Sequence, residues 1–321
     1  AQLLSEIGSP AYATPDVVAR FDTIHLEDLG GDRVRITGVR GEPAPDTAKL
    51  GIVHLGGFRN AMTMLVPPPD IEAKAQLLER QLRAALPAGT ELHLDLVGPG
   101  AAAARRADGV GRLRVAVTSD DPGAAGRAFS SAVVELALAS YPGFTPTAPP
   151  GDATPFTGFW PSLAPASVAD AAVEVDGETV EVPSPPTAPV DRIDSDDGVD
   201  LPGEGSGCCA SVPLGRVAGA RSGDKGADAN IGVWARTDAA YEWLERFLTA
   251  SRLRGLLPET DGLAIDRHLL PNLRAINFVV HGILGEGGVA ASTAVDPQAK
   301  TLAEFLRSRV VEVPIPVLES T

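Results

Sequence analysis

The run Arg221-Ser222-Gly223-Asp224-Lys225-Gly226 holds the residues of this 321-residue chain best suited to chemistry. Gly223 and Gly226 can take positive φ, which lets successive backbone N–H groups converge on one anion. Arg221 and Lys225 add positive charge, and Asp224 can accept a proton or orient the lysine. Asp224, Lys225 and the later His281 form the candidate catalytic set. Arg221, Ser222, Gly223, Gly226 and Asn230 form the candidate binding set. The G-x-x-x-x-G-K-[ST] spacing of a Walker loop is absent. The same residue types also suit a tight strand–turn–strand with solvated Asp224 and Lys225, because Gly, Ser and Asp favour turns for local reasons. Composition alone does not separate the two.

Two further glycine tracts could approach an anion. Gly56-Gly57-Phe58-Arg59-Asn60 reads as a loop after a strand. There Gly56 and Gly57 permit close backbone approach, and Arg59 offers a bidentate fork to a carboxylate or phosphate, with Asn60 beside it. A glycine-rich loop with a surface arginine has the same composition. Gly282-Ile-Leu-Gly-Glu-Gly-Gly288 follows a strand that ends at His281, but no helix and following acid complete a dinucleotide unit. The chain shows no Ser–His–Asp order, no metal-ligand cluster and no cofactor fingerprint. Its two cysteines, Cys208 and Cys209, are adjacent, where a disulfide is strained.

The elements that must position these residues read in two blocks. Residues 48–143 give strand, helix, strand, strand, helix. Lys49–Leu55 comes first, and then a helix from an Asp70 cap to about Leu86, with Ile71, Ala75, Leu78, Leu82 and Leu86 on one face. Glu91–Val97 and Arg112–Thr118 alternate as strands, and Asp120 or Asp121 opens a last helix. This is the split βαβ order of ferredoxin-like sandwiches. Residues 211–321 repeat a mixed pattern, with a helix capped by Thr237 or Asp238 and a buried strand over 275–281. Upstream, 23–27 and 33–37 alternate around Gly30-Gly31, which predicts a half-buried hairpin. Val173–Val182 predicts another around Asp176-Gly177. The acidic, glycine-rich stretch from Pro183 to about Ala210 reads as a flexible linker. The expected fold is α+β: two α/β sandwich modules, 1–182 and 211–321, joined by a Pro/Asp/Gly-rich connector.

The wording of the central run is itself informative. Ser222-Gly-Asp-Lys-Gly226, followed by Ala229-Asn-Ile-Gly232 and Ala235-Arg236, resembles the C-terminal module of the acyclic terpene utilisation (AtuA-like) family. Ile7-Gly-Ser-Pro-Ala-Tyr-Ala-Thr-Pro-Asp-Val17, Gly38-Val-Arg-Gly-Glu-Pro43, Leu55-Gly-Gly-Phe-Arg-Asn60 and Asp70-Ile-Glu-Ala-Lys74 extend the resemblance along nearly the whole chain. It implies a ferredoxin-like fold for 211–321. It also implies a large α/β region ahead of Ile7, so that the chain reads as the C-terminal half of a longer protein.

The resemblance further implies catabolism of branched acyclic terpenoids through coenzyme A thioesters. The chemistry would be hydration, elimination or isomerisation of an acyl thioester or carboxylate, with coenzyme A present as part of the substrate and no other cofactor evident. A non-catalytic ligand-binding or oligomerisation module is the alternative. A net charge of −15 sets the whole-molecule field against nucleic acid and anionic membranes. No apolar run approaches the ~20 residues of a membrane helix. The expectation is a cytoplasmic protein whose partners are a small acid or thioester, the missing N-terminal half and further copies of itself.

Overall fold

The computed structural model describes residues 2–98, 109–168, 172–190, 193, 195–199, 208–285, 288 and 296–321. They fall into two compact units. One comprises Ala1–Ile52, Trp160–Val289 and Gln298–Thr321, and the other is built on Val53–Phe159. The sequence divides the chain at one linker. In the structure the first fifty residues share a unit with the C-terminal module instead.

The chain opens with a short helix, α1 (Gln2–Glu6). Strands β1 (Ala11–Ala13) and β2 (Val18–Arg20) follow, and β5 (Arg40–Glu42) joins them in one small antiparallel sheet. Between lies the hairpin of β3 (His25–Gly30) and β4 (Arg33–Thr37). Alternation predicts it half-buried, yet every residue of both strands is exposed. Alternation fixes which side chains share a face; it does not supply an element to cover that face. After β6 (Ala44–Pro45) comes β7 (Thr47–Val66), much longer than the strand expected at Lys49–Leu55.

The Val53–Phe159 unit has the expected order. β7 is followed by α2 (Ile71–Ala85), β8 (Glu91–Val97), β9 (Gly111–Ser119), a helical stretch continuing into α3 (Phe129–Glu135), and β10 (Thr145–Pro146). The sheet order is β10-β7-β9-β8, antiparallel throughout. Leu78 and Leu82 of α2, with Phe129 and Val133 of α3, bury the face carrying Met64, Val115 and Val117. Asp70 holds the N-cap position, but in the left-handed region at φ 61°, and its side chain makes no capping bond.

β11 (Thr154–Pro165) also pairs with β7, and β12 (Ala172–Val175) and β13 (Glu178–Glu181) form the predicted second hairpin, again exposed throughout. The connector departs from expectation. Residues 191, 192, 194 and 200–207 lie outside the described residues, but two stretches of the rest, 186–188 and 195–198, are tied down. β14 (Thr187–Ala188) pairs with β6, and Asp196 N–H donates to the Arg267 carbonyl at 2.9 Å. The buried Arg267 guanidinium donates to the carbonyls of Leu248, Asp196 and Glu245. Burial lowers its pKa, although Asp196 and Glu245 oppose that. A cation that has lost its water needs such acceptors, and satisfying it pins the connector.

The C-terminal module contains β15 (Cys209–Pro213), β16 (Ala218–Lys225), β17 (Asp228–Ala235), α4 (Asp238–Phe247), α5 (Ala250–Leu256), β18 (Ile265–Leu270), β19 (Ala275–Val280), α6 (Leu302–Ser308), β20 (Val310–Pro314) and α7 (Ile315–Glu319). Thr237 Oγ1 caps α4 by accepting from Ala240 N–H. The antiparallel sheet runs β16-β17-β19-β18. Ile231, Val233, Ile276 and Phe278 meet Leu244, Leu253 and Leu306 in its core. β20 does not join this sheet; it pairs with β15. The chain is α+β, as expected.

The other face of that sheet is covered by the start of the chain. Leu4 and Ile7 bury against Leu270 and Ala275. Asn277 Nδ2 donates to the carbonyls of Ile7 and Gly8 at 2.6 and 2.7 Å, and Asn230 Nδ2 also donates to the Ile7 carbonyl. Gly232 lies beneath: a Cβ there would overlap Leu4 and stand 3.1 Å from its carbonyl.

Candidate functional site

β16 is the edge strand of the C-terminal sheet, and its ladder with β17 places Lys225 opposite Asp228. Only Gly226 and Ala227 turn the chain between them. Gly226 sits at φ 69°, the conformation a two-residue hairpin loop asks of its first residue. The anion nest expected of Ser222–Gly226 is therefore not a loop. Residues 222–225 are strand, and Gly223 opposes Asn230 in the ladder. Extended backbone alternates its N–H groups between the two edges, so they cannot converge on one point.

The side chains, by contrast, do gather. Arg221, Ser222, Gly223, Asp224 and Lys225 line a cavity of about 450 Å³ together with Gln2, Ser5 and Glu6 of α1 and Lys300. Lys225 Nζ donates to Glu6 Oε2 at 2.9 Å. That bond and the lysine's charge hold the Glu6 carboxyl below its ordinary range. Three cations and two carboxylates thus share a polar wall. Sequence alone misses Glu6 and Lys300, because nothing local links α1 or the approach to α6 with β16. Ser222 also serves the fold, since its buried Oγ accepts from Ala303 N–H at 3.0 Å and satisfies a donor in the first turn of α6. Asn230 Nδ2 holds the Ile7 carbonyl.

His281 stands at the end of β19 between two carboxylates. Its Nδ1 lies 3.0 Å from Asp228 Oδ2 and its Nε2 3.0 Å from Asp266 Oδ2. Asp228 Oδ1 also accepts from Gly282 N–H at 2.8 Å. Desolvation pushes the His281 pKa down, but the hydrogen bond to Asp266 and the charge of Asp228 outweigh it, and the net shift is upward. With both ring nitrogens engaged, the imidazole offers no open lone pair to a substrate. Its evident work is to brace the start of β17. Of its partners, Asp228 falls two residues past Gly226 in the central run, whereas Asp266 carries no signal beyond a polar position in a strand.

Two of the three glycine tracts meet here. Leu284 N–H donates to the Ala227 carbonyl at 2.9 Å, and Gly288 packs so closely on Gly226 that a Cβ would overlap its carbonyl. Glu286 and Gly287 lie outside the described residues. The third tract belongs to the other unit and lies within β7, not in a loop. A side chain at Gly56 would come within 2.9 Å of Gly158 N, and Gly57 (φ 123°) would meet the Ser119 carbonyl at 2.9 Å. These glycines serve close strand packing. Arg59 opposes Thr118 in the ladder, and Asn60 Nδ2 donates to the Gly151 carbonyl at 2.9 Å.

Among the described residues no group of three or more His, Cys, Asp and Glu could hold a metal ion, and no helix is long and apolar enough to cross a membrane. In comparisons with known proteins, a family model described as "Acyclic terpene utilisation family protein AtuA" matches residues 1–175, and one described as "AtuA ferredoxin-like domain" matches residues 212–312. No curated protein and no solved structure matches.

Proposed function

We infer the role from a premise that the family matches supply: the chain belongs to the acyclic terpene utilisation AtuA family. Membership suggests a part in acyclic terpene utilisation. The finer reading we propose is that the cavity beside β16 binds the anionic end of a branched acyl substrate, either a free carboxylate or the phosphates of its coenzyme A thioester. The observation that carries it is the convergence of Arg221, Lys225 and Lys300 on one polar pocket of about 450 Å³. Guanidinium and ammonium groups bind carboxylate and phosphate through charge-assisted bonds. A polar wall does not suit the branched hydrocarbon itself.

Hydratase, lyase or isomerase chemistry would need a base at this wall, and of its two carboxylates Glu6 is paired with Lys225, which leaves Asp224 for the role. His281 has both nitrogens committed and Ser222 caps a helix, so binding draws more support from the geometry than turnover does. The discriminating experiment offers a branched acyl thioester and its free acid to the parent protein and to Asp224→Asn. Binding retained in both, with no turnover in either, supports an anion-binding module. Turnover in the parent that Asp224→Asn abolishes supports catalysis at this wall. If neither ligand binds the parent, the reading fails.

A further inference from the structure

The two exposed hairpins point to a contact that the cavity does not account for. Among the described residues β3 pairs only with β4, and β12 only with β13. All four strands are exposed along their length, so four unpaired edges and their faces are presented to solvent. An isolated two-stranded ribbon is marginal in water, and an unpaired edge is a template for another strand.

Their side chains are sorted. In β4, Val34 and Ile36 lie on one face at 61 % and 58 % exposure, while Arg33 and Arg35 lie on the other. In β12, Val173 and Val175 share a face at 48 % and 54 % exposure, with Glu174 opposite. Laid antiparallel with Arg35 facing Glu174, β4 and β12 bring Val34 to Val175 and Ile36 to Val173. Every position in that register is then an apolar pair, an opposite-charge pair, or the small pair Thr37–Ala172.

We propose that β4 of one copy of this chain pairs with β12 of a second copy, making a four-stranded sheet β3-β4-β12-β13 across the interface. Charge selects this combination. Pairing β4 with β4 sets arginines against each other, and β12 with β12 sets Glu174 against Glu174; like charges in cross-strand positions are destabilising. The β3 edge brings Glu27 toward Glu174, and the β13 edge carries Glu178 on the valine side. Main-chain bonds would supply affinity and the Arg/Glu pairs register.

The test measures self-association of the 321-residue chain by sedimentation velocity and light scattering, with circular dichroism and melting as folding controls. The parent should self-associate. Glu174→Arg and Arg35→Glu should each weaken association at least about tenfold without lowering the melting temperature, since both sites are exposed. Glu174→Arg leaves the in-chain Arg35–Glu27 pair untouched, so it stands as a second variant independent of that contact. The double reversal, which restores opposite charges, should recover association to within roughly threefold of the parent. A parent that stays monomeric at about 100 µM overturns the proposal. So does an assembly that the single reversals leave intact, or one that the double reversal leaves as weak as the singles.

Discussion

The two βαββα units of this protein start from the same order of elements and finish their sheets differently. Around Val53–Phe159 the strand after the last helix, β10, takes the edge beside β7. In the C-terminal module that edge, beside β17, is already occupied by β16, which hairpins in through Gly226-Ala227. The closing strand β20 is displaced onto β15. The added edge strand carries Arg221, Asp224 and Lys225, and α1 packs against it. The cavity lined by charged side chains lies beside the added edge strand. In the other unit Gly56 and Gly57 serve close strand packing.

The largest effect is expected in the cores, which should be equivalent although the edges are not. Phe129→Ala in the first unit and Phe278→Ala in the second each delete a fully buried ring and should cost about 3–5 kcal/mol by denaturant unfolding. A loss under ~1 kcal/mol in either would mean that its sheet is not packed as described.

Next comes the docking of the chain's start, which the first unit has no counterpart for. Gly232→Ala places a methyl group into Leu4 and should cost roughly 1–3 kcal/mol. The same change at Gly151, where a Cβ meets nothing within 4 Å and φ is not positive, tests the backbone term without an overlap. If the two variants unfold alike, the overlap with Leu4 is not what makes Gly232 necessary.

A smaller effect with a pH signature belongs to His281. Its folded pKa is raised above the ordinary 6.5, so its contribution is fully present below the unfolded value and is lost as pH rises through the folded one. His281→Gln should therefore lose most stability relative to the parent near about pH 5.5–6 and converge with it in alkali. At 38 % side-chain exposure, screening should keep the difference to about 0.5–1 kcal/mol. A deficit that grows with pH would reverse the sign of the account.

The fold is largely readable in the sequence because strand alternation and helical spacing are local. Ile71, Ala75, Leu78 and Leu82 declare the buried face of α2 without reference to anything else. Thr237-Asp238 announces the start of α4 to within one residue, and the structure gives the cap to Thr237. The site is readable only in part. Gly, Ser, Asp and Lys between apolar runs describe a turn, and the turn is there, but one residue pair long and preceded by strand. What determines the cavity is non-local: Glu6 meets Lys225 from the far end of the chain, and Gly232 is a glycine because Leu4 lies on it. The connector misleads for a similar reason. Its composition favours flexibility, yet buried Arg267 needs acceptors and finds one at Asp196. In Gly56-Gly57 the same two residues that permit a loop permit close strand contact, and only the neighbouring Phe156 and Gly158 decide between them.

Calorimetric titration of a branched acyl carboxylate and its coenzyme A thioester into the parent, Arg221→Ala and Lys225→Ala decides whether the β16 edge is an anion site or only a connector. Each variant removes a charge-assisted contact of about 1.5–3 kcal/mol, so affinity should fall roughly tenfold to a hundredfold. Stability should change by less than ~1 kcal/mol, because the Lys225–Glu6 pair is largely exposed. If both variants bind both ligands as the parent does, the strand is structural and the anion site lies elsewhere.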